Sequence, residues 1–147
     1  MVVLDTDLMT LRERGSGSVE ADRLYRRLRP LRPAERGVTI ISFEEQTRGW
    51  MAYIAKARTL AQQVEAYRRL RRHLDMYCGM VILDFDERPA IVYQRLQQAR
   101  LRIGTMDLKS AAIVLVQDAT LLTRNRADLR RVPGLKVEDW TAAEEEE

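Results

Sequence analysis

The sequence predicts an α/β protein, a three-layer α/β/α sandwich around a central, mainly parallel sheet of four to five strands. Short apolar segments alternate along the 147-residue chain with helical segments of ten or more residues. Strands joined in this way pair in parallel through right-handed crossovers. In addition, the run MVILDF from Met80 has no polar residue before Asp84, and such runs are typical of parallel strands covered on both faces.

The first part of the chain is predicted to contain one strand and two helices. Val2–Leu4 is a short apolar strand, and residues 7–14 form a helix that Gly15 ends, since glycine commonly terminates helices. Ser18 begins a second helix, whose apolar residues recur at helical spacing up to Leu31.

The middle of the chain is predicted to contain a strand and two long helices. VTIIS, which begins at Val38, is rich in the β-branched residues that favour strands. A helix over residues 44–57 follows, and a second begins at Leu60. The apolar stripe of the second helix consists of Val64, Tyr67, Leu70, Leu74 and Tyr77. Its opposite, solvated face carries Arg68, Arg69, Arg71 and Arg72, for which contact with RNA is the alternative interpretation.

The last part of the chain completes the sheet. The predicted elements are a strand from residue 80, helices over 86–100 and 106–119, a strand over 120–123, a helical turn over 126–131 and an edge strand, Lys136–Glu138. We therefore expect one domain over residues 1–141. Residues 142–147 are expected to form an acidic, disordered tail.

The composition favours a polyanionic partner. Only three of the 25 basic residues are lysines, and without the last four glutamates the formal charge is +7. Arginine pairs with phosphate in two-pronged fashion. No apolar run reaches the roughly 18 residues of a membrane span, so we expect a cytoplasmic protein without a membrane partner. The single cysteine, Cys78, is expected to be a buried apolar residue, and with one histidine, His73, it supports no zinc cluster.

Polar side chains are predicted to gather at one edge of the sheet. Ligands of open α/β sheets bind beyond the carboxyl ends of the strands. The candidates there are Asp5, Ser42, Glu44, Glu45, Asp107, Thr123, Asn125 and Asp128. Carboxylates packed together repel one another unless a cation neutralises them, and an oxygen-only donor set selects Mg²⁺ or Mn²⁺. With an arginine-rich body, this combination favours a phosphodiesterase.

Four stretches carry a resemblance to a known family. They are LDTD at Leu4, ISFEEQTRG at Ile41, IGTMDLKSAAI at Ile103 and ATLLTRNRADLRRVPGLKVEDW at Ala119. In order and in type they resemble the signature blocks of PIN-domain ribonucleases, and they are most similar to the VapC-like toxins of bacterial toxin–antitoxin pairs.

The resemblance implies a set of site residues. The family's acidic positions correspond to Asp5, Glu45 and Asp107, with Glu44 as a competing register for the second. Its fourth position corresponds to Asn125, with Asp128 as a possible substitute, so the chain departs there from a fully acidic quartet. The family further implies Mg²⁺ or Mn²⁺, cleavage of single-stranded or loop RNA such as transfer RNA, a small antitoxin partner and a homodimer.

The remaining candidates have more ordinary interpretations. Asp7 is expected to be a helix cap rather than a ligand. Trp50, Tyr53 and Trp140 are expected to lie in the core, with stacking on a base as the alternative. Phosphate contacts are assigned to Arg124 and Arg126, which flank Asn125.

Two other functions compete with the ribonuclease. A haloacid-dehalogenase-type phosphatase also begins with Asp-x-Asp, but here Met9 occupies the position of its Thr or Val, and its later Lys and Gly-Asp-x-x-x-Asp motifs are missing. The other is a PIN-like module that binds RNA or protein without cutting, because Asn125 weakens the metal site.

Overall fold

The computed structural model describes residues 1–13 and 17–144. The strands in these ranges are β1 (Val2–Leu4), β2 (Arg36–Thr39), β3 (Val81–Leu83), β4 (Thr120–Leu122) and β5 (Lys136–Glu138). The helices are α1 (Thr6–Glu13), α2 (Val19–Leu28), α3 (Ile40–Lys56), α4 (Leu60–Cys78), α5 (Glu87–Gln98), α6 (Thr105–Val116) and α7 (Arg126–Leu129). A single 3₁₀ turn, Pro33–Glu35, precedes β2.

The five strands form one parallel sheet in the order β3-β2-β1-β4-β5. Successive strand residues point to opposite faces, and the helices cover both. Val3 belongs to a buried cluster with Ile113 of α6, whereas Leu4 belongs to one with Leu8 of α1 and Leu24 of α2. The predicted fold class is confirmed, including the edge position of Lys136–Glu138.

The order of the strands determines where a ligand can bind. The chain adds β2 and β3 on one side of β1 and β4 and β5 on the other. The connections diverge at the carboxyl ends of β1 and β4, and this is where open α/β sheets form their binding crevice. The candidate site is therefore expected next to Asp5 and Thr123, which directly follow these two strands.

The strand predicted for VTIIS is wrong in its second half. β2 ends at Thr39, and Ile40 already begins α3. The Thr39 hydroxyl accepts a hydrogen bond from the Ser42 backbone N–H at 3.1 Å, which is the N-cap arrangement that starts a helix. A local hydrogen bond thus overrides the strand preference of the isoleucines, and Ser42 lies in the first turn of α3.

The apolar stripe predicted on α4 faces outward over most of its length. Of the predicted stripe, Val64, Tyr67 and Leu74 are exposed and Tyr77 is buried. Ala66 and His73, which were not predicted, are buried as well. The buried side of α4 is fixed by polar contacts, which hydrophobic spacing does not reveal. His73 lies between two partners at 2.9 Å, through Nδ1 to Glu13 of α1 and through Nε2 to Thr47 of α3. The Tyr77 hydroxyl donates to Gln46 of α3 at 2.5 Å.

The structure also bears on the predicted start of α2, on Cys78 and on the C-terminal residues. Ser18 caps α2, since its hydroxyl accepts from the Ala21 backbone N–H. Cys78, expected to be buried, is exposed at the last position of α4. Gly15 and residues 145–147 of the predicted tail lie outside the described residues, and residues 142–144 form no helix or strand. No helix in the described ranges is long and apolar enough to cross a membrane.

Candidate active site

Asp5 is buried at the carboxyl end of β1 with both carboxylate oxygens hydrogen-bonded. Oδ1 accepts from the Thr6 backbone N–H, and Oδ2 accepts from the Thr123 hydroxyl, each at 2.9 Å. The Asp5 backbone N–H donates to the Leu122 carbonyl and so continues the β1–β4 ladder. Two adjacent strands therefore hold this carboxylate in one orientation.

The surroundings of Asp5 disfavour its charge. Burial, followed by the negative charge of Asp7, raises the pKa of Asp5 from 3.8 to about 6, against the opposing effect of the hydrogen bonds from Thr123 and Thr6. Asp107 adds a smaller repulsion. A carboxylate held in such a place is a common feature of functional sites.

Glu45 approaches from the second turn of α3. Its Oε1 lies 3.1 Å from the Thr6 hydroxyl, which donates to it. Burial raises the pKa of Glu45, and the charges of Asp107 and Glu44 raise it further, while the Thr6 hydrogen bond lowers it. Glu44 instead pairs with Arg48 at 2.6 Å on the outer surface of α3. Of the two competing registers, the structure thus brings Glu45 to the end of β1.

Asp107 comes from the first turn of α6. It is half-buried, and burial raises its pKa, followed by the repulsion of Asp128 and Asp7. The charge of Asp107 on α6 therefore opposes the ionisation both of Asp5, which follows β1, and of Glu45 on α3.

The fourth predicted position lies just after β4. The Asn125 backbone N–H donates to the Thr123 hydroxyl at 3.0 Å, and its side-chain amide donates to Asp128 at 3.3 Å. Asp128 also pairs with Arg131 at 2.7 Å. Asn125 thus links Asp128 to Thr123, and through it to Asp5.

The expectation that Asp7 caps a helix is wrong. Asp7 is the second residue of α1, and the backbone carbonyl of Asp5 accepts the first helical hydrogen bonds. One Asp7 oxygen accepts from the Arg124 guanidinium at 3.3 Å, while the other is buried without a hydrogen-bond partner among the described residues. Arg124 also pairs with Glu20 at 3.1 Å, so two carboxylates neutralise this predicted phosphate contact. Arg126, the other predicted phosphate contact, is the first residue of α7 and is half-buried.

A chain of four neighbouring hydroxyl groups lies next to Asp5 and Glu45. The Thr6 hydroxyl lies 2.9 Å from that of Ser42, Ser42 lies 3.4 Å from Thr39, and Thr39 lies 3.2 Å from Ser110 of α6. Ser42 and Thr123 were expected at the site, whereas Thr6, Thr39 and Ser110 were not. Thr6 directly follows Asp5, and this adjacency was the available signal.

A groove of about 400 Å³ between α1 and α3 leads to Glu45. Trp50 and Tyr53, expected to lie in the core, line it instead and contact each other edge to face at 5.7 Å. A Cβ atom at Gly49 would meet nothing within 4 Å, so the groove is open beside Gly49. Trp140 does pack against the core, with Arg27 over its ring at 4.7 Å.

The donor chemistry of this cluster fits a hard divalent cation, although the spacing does not yet enclose one. The donors are carboxylate, amide and hydroxyl oxygens, which Mg²⁺ and Mn²⁺ prefer. The raised pKa values of Asp5, Glu45 and Asp107 and the unpartnered oxygen of Asp7 indicate negative charge that a cation would neutralise. Within the described ranges, however, no three His, Cys, Asp or Glu side chains are grouped closely enough to hold a metal ion as they stand.

Comparison with known sequences gives one partial match among curated proteins. No protein-family model matches the chain. Ribonuclease VapC2 of Rickettsia felis is 33% identical over 72 residues, which are 46% of this chain and 54% of that protein. The match thus spans about half the length of this relative.

Comparison with solved structures extends over nearly the whole chain. DNA-bound VapBC from Salmonella typhimurium has a TM-score of 0.72 at 21% identity, covering 95% of this chain and 97% of the other. FitAcB from Neisseria gonorrhoeae has a TM-score of 0.72 at 20% identity, covering 95% of this chain and 98% of the other. VapBC2 from Rickettsia felis, bound to a promoter DNA fragment, has a TM-score of 0.71 at 23% identity, covering 95% of this chain and 99% of the other. At these identities the solved structures establish a shared fold.

Proposed function

We propose that this chain, whose predicted resemblance to VapC-like PIN proteins is confirmed in sequence and in fold, is a metal-dependent endoribonuclease. It would hydrolyse phosphodiester bonds of RNA as the toxin of a toxin–antitoxin pair. The observation that carries the proposal is the convergence of Asp5, Glu45 and Asp107 at the point where the strand order reverses. The curated relative is itself named a ribonuclease.

Asp5, Glu45 and Asp107 are the residues that would hold Mg²⁺ or Mn²⁺, with the Asn125 amide oxygen or Asp128 as a further ligand. A bound ion supplies positive charge to the phosphate and a water of lowered pKa as the nucleophile. Because no three of these side chains enclose an ion as they stand, Glu45 and Asp107 must move toward Asp5. Both are only partly buried, which leaves them free to do so.

The neighbouring residues keep the carboxylates ready for this task. Thr123 and the Thr6 backbone N–H fix Asp5, and the Thr6 hydroxyl holds Glu45. Asp5 is therefore already oriented before the reaction, so no free energy is spent on orienting this carboxylate at that moment. The groove lined by Trp50 and Tyr53 reaches Glu45 and offers aromatic surfaces on which unpaired bases can stack. This suits an RNA loop or single strand, such as those of transfer RNA.

An antitoxin and a second copy of the chain are the proposed protein partners. The solved relatives include VapBC toxin–antitoxin complexes. The outward apolar residues of α3 and α4 give independent support, because patches of this kind mark interaction surfaces. They are Met51, Leu60, Val64, Tyr67 and Leu74.

A PIN-like module that binds without cutting is the second candidate. Two observations favour it, namely the spacing of the carboxylates and the presence of Asn125 in place of a fourth acid, with Asp128 paired to Arg131. An amide oxygen can nevertheless coordinate Mg²⁺ or Ca²⁺, so the ribonuclease is the stronger proposal.

The deciding experiment measures cleavage of a labelled, structured RNA by purified protein with Mn²⁺ or Mg²⁺. We expect cleavage that EDTA stops and that Asp5→Asn and Asp107→Asn each abolish. Asp75→Asn, which changes an exposed carboxylate on α4, serves as the control and is expected to cut normally. Cleavage that survives both site substitutions would overturn the assignment of the site. Tight RNA binding without any cleavage by the unmodified chain would favour the second candidate.

A further inference from the structure

An arginine-lined cleft of about 760 Å³ opens between α1, α2 and the start of β2. Four guanidinium groups line it, contributed by Arg12, Arg26, Arg29 and Arg36. Asp22 is the one carboxylate in its lining. The cleft thus carries a formal charge of +3 on a small area, although the whole chain has only +3.

The arginines of this cleft differ from most of those on α3 and α4 in lacking acidic partners among the described residues. On α3 and α4, Arg48, Arg69, Arg71 and Arg72 all pair with carboxylates of their own helix. Within residues 1–13 and 17–144, none of the four cleft arginines forms a salt bridge. Three of the four arginines on the basic face predicted for α4 are therefore paired, whereas the four cleft arginines bring their charges together without a salt bridge in the described ranges.

The cleft lies at the opposite edge of the sheet from the carboxylates. Arg36 is the first residue of β2, whose carboxyl end faces the site. Arg12 is in the last turn of α1, a helix that begins directly after Asp5. Seven residues of helix separate Asp5 from Arg12, or about 10 Å at a rise of roughly 1.5 Å per residue. A ligand that reaches both places must extend beyond a dinucleotide.

We propose that this cleft binds phosphate groups of the substrate RNA at a distance from the bond that is cut. The inference rests on the proposed ribonuclease function and names a second contact region for the same substrate. Guanidinium forks match phosphate oxygens in two-pronged geometry. The Tyr25 hydroxyl already donates to the Arg12 carbonyl, so the cleft offers charge rather than base-specific hydrogen bonds and holds RNA backbone of any sequence.

The surface chemistry favours RNA over an acidic protein segment. Protein interfaces usually have an apolar centre surrounded by polar groups. In this cleft Leu28 is buried, and the exposed groups are Arg26, Arg29 and Asp22. The exposed apolar side chains of α3 and α4 lie on other elements. A repeating phosphate backbone therefore fits the cleft better than a peptide.

Binding of 2′-O-methyl RNA in EDTA tests the proposal separately from cleavage, because EDTA removes the metal ion that the proposed hydrolysis requires. The variant is Arg26→Ala/Arg29→Ala, and the control is Arg88→Ala/Arg95→Ala, which removes the same charge from exposed positions of α5. We compare a dinucleotide, which is too short to reach both places, with an oligonucleotide of about 16 nucleotides, the upper end of the usual single-strand site sizes. Binding is followed by fluorescence anisotropy over a series of salt concentrations.

The cleft variant is expected to bind the longer RNA about tenfold more weakly than the unmodified chain does. Its slope of log Kd against log salt should fall by about 1.4, because two phosphate contacts are lost and each contributes about 0.7 for a single strand. The short RNA and the α5 control should bind as the unmodified chain does. With cleavable RNA, the cleft variant should show a higher KM and an unchanged kcat.

Two results would overturn the proposal. In one, the two double variants bind the longer RNA equally while the unmodified chain still cuts RNA, and then only the cleft assignment fails. In the other, the cleft variant loses binding of poly-glutamate but keeps its affinity for RNA, which would identify the cleft as a protein-docking site. If the unmodified chain neither binds nor cuts RNA, the proposed function fails and this inference fails with it.

Discussion

Replacing Asp5 by asparagine is expected to stabilise the metal-free protein at neutral pH, although it removes a proposed metal ligand. Asp5 is 9% exposed, and its pKa is raised to about 6 by burial and by the charge of Asp7. The folded protein therefore opposes the ionisation that solvent favours in the unfolded chain. Asparagine has the same shape without the charge. Its amide oxygen can accept from the Thr6 N–H, and its NH₂ can donate to the Thr123 hydroxyl oxygen.

The size of the effect follows from the shift in pKa. The folded pKa of Asp5 lies above the unfolded value, so the folded state binds more protons between pH 3.8 and about 6. The contribution of Asp5 to stability is therefore largest at low pH and falls as the pH rises through this window. At about 1.4 kcal/mol for each pKa unit, the loss amounts to roughly 2 to 3 kcal/mol between pH 4 and 7. Asp5→Asn should lose none of it.

Urea denaturation in EDTA at pH 4 and pH 7 measures this difference. The free energy of unfolding of Asp5→Asn relative to the unmodified chain should rise by roughly 2 kcal/mol between the two pH values. Asp75→Asn, at an exposed position, should differ from the unmodified chain by less than about 0.5 kcal/mol at both. Mg²⁺ at a hundredfold excess over its Kd should stabilise the unmodified chain by about 2.7 kcal/mol and leave Asp5→Asn unchanged.

One outcome would refute this reasoning directly. If Asp5→Asn unfolds more easily than the unmodified chain at pH 7 in EDTA, the carboxylate contributes to folding through its hydrogen bonds more than its buried charge costs. Asp5 would then be a structural residue, and the argument from accumulated negative charge to a bound cation would fail.

Two further substitutions test the site and the support behind it. Glu45→Gln is expected to lower kcat/KM for RNA about 100-fold or more. Glu44→Gln should lower it less than about threefold, because the Glu44 carboxylate pairs with Arg48 on the surface. Equal losses would show that the assignment of Glu45 rather than Glu44 to the site is wrong. Tyr77→Phe leaves the buried Gln46 oxygen without its donor and should lower the free energy of unfolding in urea by about 1 to 3 kcal/mol, whereas Tyr67→Phe, at an exposed position of α4, should have no effect.

Much of the fold could be predicted from the sequence because its signals are local. Val2–Leu4 and Lys136–Glu138 were predicted to the residue, and parallel pairing followed from the alternation of strands and helices. The start of α3 was missed because one threonine hydroxyl outweighs two β-branched residues. On the buried face of α4, Tyr77 was predicted from the apolar stripe, whereas Ala66 and His73 were missed. His73 contacts polar partners on α1 and α3 that are distant in sequence.

The candidate site was predicted in outline and corrected in detail. Asp5, Glu45 and Asp107 were predicted from their positions after strands and at helix starts together with the family resemblance, and the structure brings them to one edge of the sheet. Asp7 was misinterpreted because its partner, Arg124, is 117 positions away in the chain. The supporting hydroxyls of Thr39 and Ser110 could not be found from spacing, since serine and threonine are common in turns and caps.

The proposed function depends on a divalent cation held by Asp5, Glu45 and Asp107. Anomalous diffraction from crystals grown with Mn²⁺ tests it most directly, because Mn²⁺ scatters anomalously and has the same oxygen preference as Mg²⁺. We expect an anomalous peak within about 2.5 Å of carboxylate oxygens of Asp5 and Asp107, and no peak there in Asp107→Asn crystals. Manganese bound only at other carboxylates, with none beside Asp5 in the unmodified protein, would contradict it.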